Sequence, residues 1–120
     1  MTTISMIKIK RAYEPADAAD GYRILIDRLW PRGVSKERAD IDLWFKDVSP
    51  SNELRKWFGH DPDKWDEFQK RYSQELSEKQ ELIKQFETLV NEHKVVTLVY
   101  SAKDELHNDA VFLQKYLESR

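Results

Sequence analysis

The sequence predicts one compact α/β domain of three layers, with a small, mainly parallel central sheet flanked by helices. The prediction rests on three observations. Short runs rich in β-branched residues stand at 7–11, 22–26 and 95–100; helical periodicity fills most of the stretch between the last two; a further helical pattern follows the final run. At 120 residues the chain is a single domain, residues 1–120, long enough to bury most of its apolar surface without disulfide or metal staples.

Residues 7–11 alternate Ile7 and Ile9 with Lys8 and Lys10, the pattern of an edge strand with one solvated face. Residues 14–21 carry Pro15, several acids and a closing Gly21, which marks a surface loop or at most one helical turn. The runs 22–26 and 95–100 are more continuously apolar, as expected of central strands covered on both faces. Residues 40–48 read both ways: Ile41, Leu43 and Phe45 alternate like a strand, whereas Ile41, Trp44, Phe45 and Val48 fit a helix. The strand is favoured.

Residues 51–58 read as a short helix stopped by Gly59. Asp61-Pro62 supplies an N-cap and a proline at the first helical position, after which Trp65, Phe68, Tyr72 and Leu76 recur at helical spacing. Ser77 and Gln80 match a capping box that would break this helix from the next, whose stripe is Leu82, Ile83, Phe86, Leu89 and Val90. The last helix is expected to begin near Asp104 and to bury Leu106, Ala110, Leu113 and Leu117. Trp57 and Trp65 are expected to be largely buried and Trp30 partly accessible.

Composition narrows the function. Lys and Arg number 20 against 22 Asp and Glu, for a net charge of -2, so no global field favours nucleic acid or an anionic membrane. There is no cysteine, which removes disulfides, thiolate catalysis and cysteine-ligated metal centres and suits a reducing cytoplasm. No signal-peptide layout or membrane-spanning apolar run is present, so the expectation is a cytoplasmic protein without a membrane partner.

Polar chemistry gathers at three places that parallel strands would bring to one sheet edge, where open α/β folds bind ligands. The first is 27–33, Asp-Arg-Leu-Trp-Pro-Arg-Gly. Arg28 and Arg32 can hold a phosphate or carboxylate bidentately, Asp27 can orient them or act as a base, and Trp30 can wall a pocket. The same residues could equally form an ion pair that pins a turn. The second is 57–62, where His60 sits on a loop between Gly59 and the Asp61 cap and could transfer a proton. The third is 100–108. Ser101 and Asp104 match a capping box whose free N–H groups could receive an anion, with Lys103 and Asn108 nearby and His107 either catalytic or a hydrogen-bonded packing residue. Asp27, Arg28 and His107 are expected to line one concavity. No phosphate-binding glycine loop, nucleophile elbow or metal motif is present, and no cofactor is indicated.

The strings 21–33, 54–62 and 104–108 resemble the YeaO-like bacterial proteins, a family catalogued as a domain of unknown function, over nearly the whole chain. The resemblance implies a small cytosolic bacterial α/β protein and carries no established activity with it. Longer relatives have an Asp-x-Arg motif at a strand end, near which Asp27 and Arg28 stand, and a later Cys-His-Arg motif. Leu106-His107-Asn108 occupies the place of that second motif without its cysteine, so only His107 could retain a shared role. Porphyrin methyltransferase activity, sometimes attached to such proteins, is not supported, because a glycine-rich cofactor loop is missing and the chain is short for a cofactor plus a tetrapyrrole.

The residues together point to a polar pocket for a small anionic metabolite or nucleotide, with Arg28 and Arg32 holding the anion and Asp27, His60 or His107 moving a proton in a hydrolase or transferase. A non-catalytic binding or regulatory module built on the same residues is the alternative. RNA stacking on Trp30, Arg32, Lys36 and Arg38 is disfavoured by the net charge. Whether the chain is an enzyme, and its oligomeric state, stay open.

Overall fold

The computed structural model describes residues 5–119. Strands β1 (Met6–Arg11), β2 (Tyr22–Leu25), β3 (Leu43–Trp44) and β4 (Val95–Tyr100) form a four-stranded sheet in the order β1-β4-β2-β3, and every pairing is parallel. The predicted edge and central strands hold these places. Arg11 is in register with Tyr100, and Leu25 with Val99, so β1, β4 and β2 all end at one edge.

Helices are α1 (Lys36–Ala39), α2 (Asn52–Phe58), α3 (Trp65–Ser77), α4 (Gln80–His93) and α5 (Asp109–Glu118). The two faces of the sheet are covered unequally. Ile24, Val96, Leu98 and Tyr100 join a large core with Phe58, Phe68, Tyr72, Ile83, Phe86 and Leu113 from α2 to α5. The other face buries Leu25, Val99 and Ala12 against Trp30, Ile41 and Trp44. There β2 also buries Arg23, whose guanidinium donates to the Ala39 carbonyl at 2.8 Å and so ties down α1. Alternation along β2 sends Ile24 to one core and Arg23 and Leu25 to the other.

Local chemistry explains most boundaries. Ser51 caps α2 through the Leu54 N–H, and Gly59 ends that helix in the left-handed region at φ 54°. Asp61 accepts the Asp63 N–H ahead of a short 3-10 turn that leads into α3. Gly21 is required for space as well as conformation: its φ is 64°, and a Cβ there would lie 2.3 Å from the Val95 carbonyl oxygen. Residues 40–48 divide between the two readings, with β3 followed by a 3-10 turn at Lys46–Val48.

Several expectations need correction. Ser77 is the last residue of α3 and spends its hydroxyl on the Gln74 carbonyl at 2.6 Å, so it forms no capping box; α4 starts behind Lys79 without a side-chain cap. The last helix starts at Asp109 behind an Asn108 cap, not near Asp104. Leu106 therefore precedes the helix and is 72% exposed, while Ala110, Leu113 and Leu117 are buried as expected. Trp57 and Trp65 are half-buried. The Trp57 ring lies 4.0 Å from the Arg71 guanidinium and 5.1 Å from the Lys64 ammonium, a wet cation-π contact in place of a core position. No described helix is long and apolar enough to cross a membrane.

Candidate functional site

A cavity of about 480 Å3 opens at the carboxyl edge of the sheet, where the turns after β2 and β4 meet the starts of α2 and α5. Asp27, Trp30 and Arg32 from the first polar string line it, together with His60 from the second and Ser101 and Asn108 from the third. The parallel register causes this convergence, because Ile26 still bonds to the Val99 carbonyl and delivers Asp27 next to Ser101.

Asp27 anchors the site. Its Oδ2 accepts the Ser101 backbone N–H at 2.9 Å and the Ser101 hydroxyl at 2.8 Å, joining positions 74 residues apart. This bond replaces the predicted Ser101-Asp104 capping box: the serine hydroxyl is committed to the neighbouring strand end. Asp104 instead accepts the Leu106 and His107 N–H groups, and Asn108 accepts the Val111 N–H, so these donors are satisfied within the chain instead of awaiting an anion.

Sequence reasoning missed Asp109. The carboxyl of this first residue of α5 lines the cavity and is hydrogen-bonded to Asp27. Burial, then the adjacent Asp27 charge and the bond to it, push its carboxyl well above the usual carboxylate range, against the pull of the Ala110 N–H. The deeply buried Tyr72, which donates to the Val48 carbonyl at 2.7 Å, feels the same acids: burial first, then Asp109, Asp27 and Glu75 raise its phenol well above the ordinary value.

The walls are apolar and aromatic, the mouth basic. Trp30 donates its indole N–H to the Val34 carbonyl at 2.7 Å and meets Trp44 edge-on at 5.4 Å between centroids, which leaves its ring to line the cavity. Tyr13 donates to the Arg32 carbonyl at 3.1 Å and fixes the loop that carries that arginine. The exposed Arg32 guanidinium has no hydrogen-bond or ion-pair partner among the described residues, and Arg55 has only a 3.4 Å contact with Asn52 Oδ1. His60, with φ 59°, is exposed beside them.

The remaining predicted residues lie outside the lining. Arg28 turns toward the Pro50 carbonyl at 3.2 Å, with its Nε buried and unpartnered, and so braces the turn after β2. His107 bonds through Nδ1 to Asp104 at 2.9 Å and packs edge-on against Trp65, with centroids 5.4 Å apart. The Leu106 N–H first, then His107, hold the Asp104 carboxyl below its usual range. Lys103 is exposed. The expectation that Asp27, Arg28 and His107 share one concavity therefore fails for the last two. A later start to α5 leaves His107 in the preceding loop, and Arg28 is drawn to the Pro50 carbonyl ahead of α2. Asn108 lines the cavity, but its amide is used on the Asp104 carbonyl and the Val111 N–H. Among the described residues no group of three or more metal-ligating side chains comes together.

A family model described as the inactive DUF488-N3 subclade matches residues 6–120. The uncharacterised protein YeaO of Escherichia coli K12 is 41% identical over 113 residues, covering 94% of this chain and 97% of the relative. Uncharacterised proteins of Mycobacterium bovis and Mycobacterium tuberculosis are 37% identical over 120 residues, with full coverage of both chains. No solved structure matches the chain. With a family model over residues 6–120 and relatives of 37–41% identity along its length, the chain belongs to the inactive DUF488-N3 subclade, alongside YeaO.

Proposed function

We propose that this chain is a non-catalytic, cytoplasmic binding protein for a small anionic ligand seated in the carboxyl-edge cavity. The observation that carries the reading is the pair of exposed guanidinium groups, Arg32 and Arg55, lining an aromatic-walled cavity with no carboxylate partner among the described residues. A planar fork left open in this way suits a phosphate or carboxylate held bidentately. The description of the subclade as inactive supports binding without turnover. The state of the polar groups supports it too, since Asp27 is committed to Ser101 and His107 is turned toward Asp104.

One contact favours a hydrolase or transferase instead. The Ser101 hydroxyl donates to Asp27 at 2.8 Å, the arrangement of a nucleophile beside a base. The same oxygen accepts the Ser101 N–H, however, which makes the pair a turn clamp.

Thermal shift with inorganic phosphate and pyrophosphate tests the binding reading. A ligand present at 100 times its dissociation constant stabilises by roughly 2.7 kcal/mol. The expected result is stabilisation by one of these anions that weakens in Arg32→Lys. Equal stabilisation of wild type and variant would remove Arg32 from the site, and turnover of phosphate esters abolished by Ser101→Ala would favour the enzyme.

A further inference from the structure

The exposed arginines account for only part of the cavity lining. Asp27 and Asp109 also line it and are partly buried, in a lining that includes the buried Asn108 and Phe68, whereas Arg32 and Arg55 are exposed. A pocket for a simple anion has no use for an acid pair on its wall, since Asp27 would repel what the arginines attract. A ligand with opposite demands at its two ends resolves the conflict.

The geometry points to a ligand with a planar, N–H-bearing ring at the acid pair and a phosphate at the arginines, the chemistry of a guanine nucleoside monophosphate. This deepens the reading of the cavity as an anion site and rests on it. The cavity, with its acid pair and exposed arginines, is the foundation; the acids alone would carry nothing.

Acceptor capacity supports the assignment. An ionised carboxylate offers about four lone-pair positions. Asp27 gives two to Ser101 and takes part in the bond with Asp109, which leaves accepting capacity on a residue that lines the cavity. Asp109 gives one oxygen to the Ala110 N–H and keeps a second oxygen in the pair. Two adjacent carboxyl groups with spare acceptor positions match two adjacent N–H donors, as on the edge of guanine.

The walls add a second requirement. The partly exposed rings of Trp30 and Tyr13 also line the cavity, and a flat ring gains stacking area there that a compact ammonium group would not. A cavity of about 480 Å3 is within the range of small-molecule sites.

Titration calorimetry with guanosine monophosphate and ribose 5-phosphate tests the inference, since the two share the phosphorylated sugar and differ in the base. Guanosine monophosphate is expected to bind about tenfold or more tightly, the scale of a paired-donor contact. That advantage should collapse in Asp109→Asn and in Asp27→Asn, with ribose 5-phosphate affinity not reduced in either. Should Asp27→Asn fail to fold for loss of its serine clamp, Asp109→Asn decides alone. Equal affinity for the two probes, or an advantage that persists in Asp109→Asn, overturns the nucleotide assignment and leaves the anion site standing. Binding of neither probe overturns both.

Discussion

Asp20 and Asp109 are two shielded carboxyl groups in opposite electrical company. Asp20, 5% exposed, bonds to Arg23 Nη1 at 2.6 Å and to Lys10 Nζ at 3.1 Å. Burial alone would raise its carboxyl, but the Asp17 N–H, Lys10 and Arg23 outweigh it and leave the acid below its usual range. Asp109 has a second acid where Asp20 has cations, and its carboxyl rises. The first arrangement is a completed network that holds the 3-10 turn at Ala18–Asp20, β1, β2 and α1 together; the second is an unfinished one that fronts a cavity. Polar groups that satisfy one another build the fold, and those that do not mark where a ligand belongs.

Breaking the completed network should have the largest effect. Arg23→Met leaves Asp20 with Lys10 as its remaining cation and removes the bonds to Ala39, and loss of one partner of a buried ion pair costs about 3–5 kcal/mol. Denaturant unfolding is the measurement, and an unchanged midpoint would remove this network from the stability of the fold. Gly21→Ala, beside Asp20, should lower stability by about 1–3 kcal/mol, because its Cβ meets the Val95 carbonyl. A melting temperature equal to wild type would mean that β4 yields there.

At the cavity the sign reverses. The raised Asp109 carboxyl contributes stability that is present below the unfolded value near 3.8 and lost as pH rises toward its folded value. Asp109→Asn should therefore be more stable than wild type at pH 7, with the difference narrowing as pH falls toward 4. For Asp20 the lowered carboxyl contributes stability above 3.8 that disappears as pH falls through its folded value. Urea midpoints of wild type and Asp109→Asn across this interval separate the two acids, and a difference that widens on acidification would contradict the assignment. The smallest stability effect belongs to Arg32→Lys, within about 0.5 kcal/mol because the guanidinium is exposed. Its anion affinity should nevertheless weaken by about 1–3 kcal/mol, read by calorimetry.

What the sequence disclosed follows the range of the forces involved. Strands 7–11, 22–26 and 95–100 were legible because β-branched runs report burial directly, and Asp27 was legible because it terminates one of them. Parallel pairing then placed it beside Ser101. Residues 101–108 misled because Ser101-x-x-Asp104 matches a helix start, yet the serine bonds to an acid 74 positions away and Asp104 closes its own turn on the Leu106 and His107 N–H groups. Asp109 lay unmarked inside a helix expected to begin near Asp104, and its contact with Asp27 has no local signal. Had Asn108 been taken as the cap, the next residue would have stood in the first turn at the same sheet edge. Tyr13 and Arg55 reach the cavity from elements assigned to other roles, which no spacing along the chain could show.

The strand order has a kinetic consequence. Because β4 lies between β1 and β2, neither of these finds its main partner until residues 95–100 have been made, and Tyr22 and Arg11 must wait on a segment synthesised long after them. At translation rates of about 5–20 residues per second, that interval lasts several seconds, during which the helices can form locally but the sheet cannot. Non-local pairing of this kind slows the search for the native state. The Asp27-Ser101 clamp closes only when the central strand docks. The wall of the cavity that this bond braces therefore waits on the last strand of the sheet to be made.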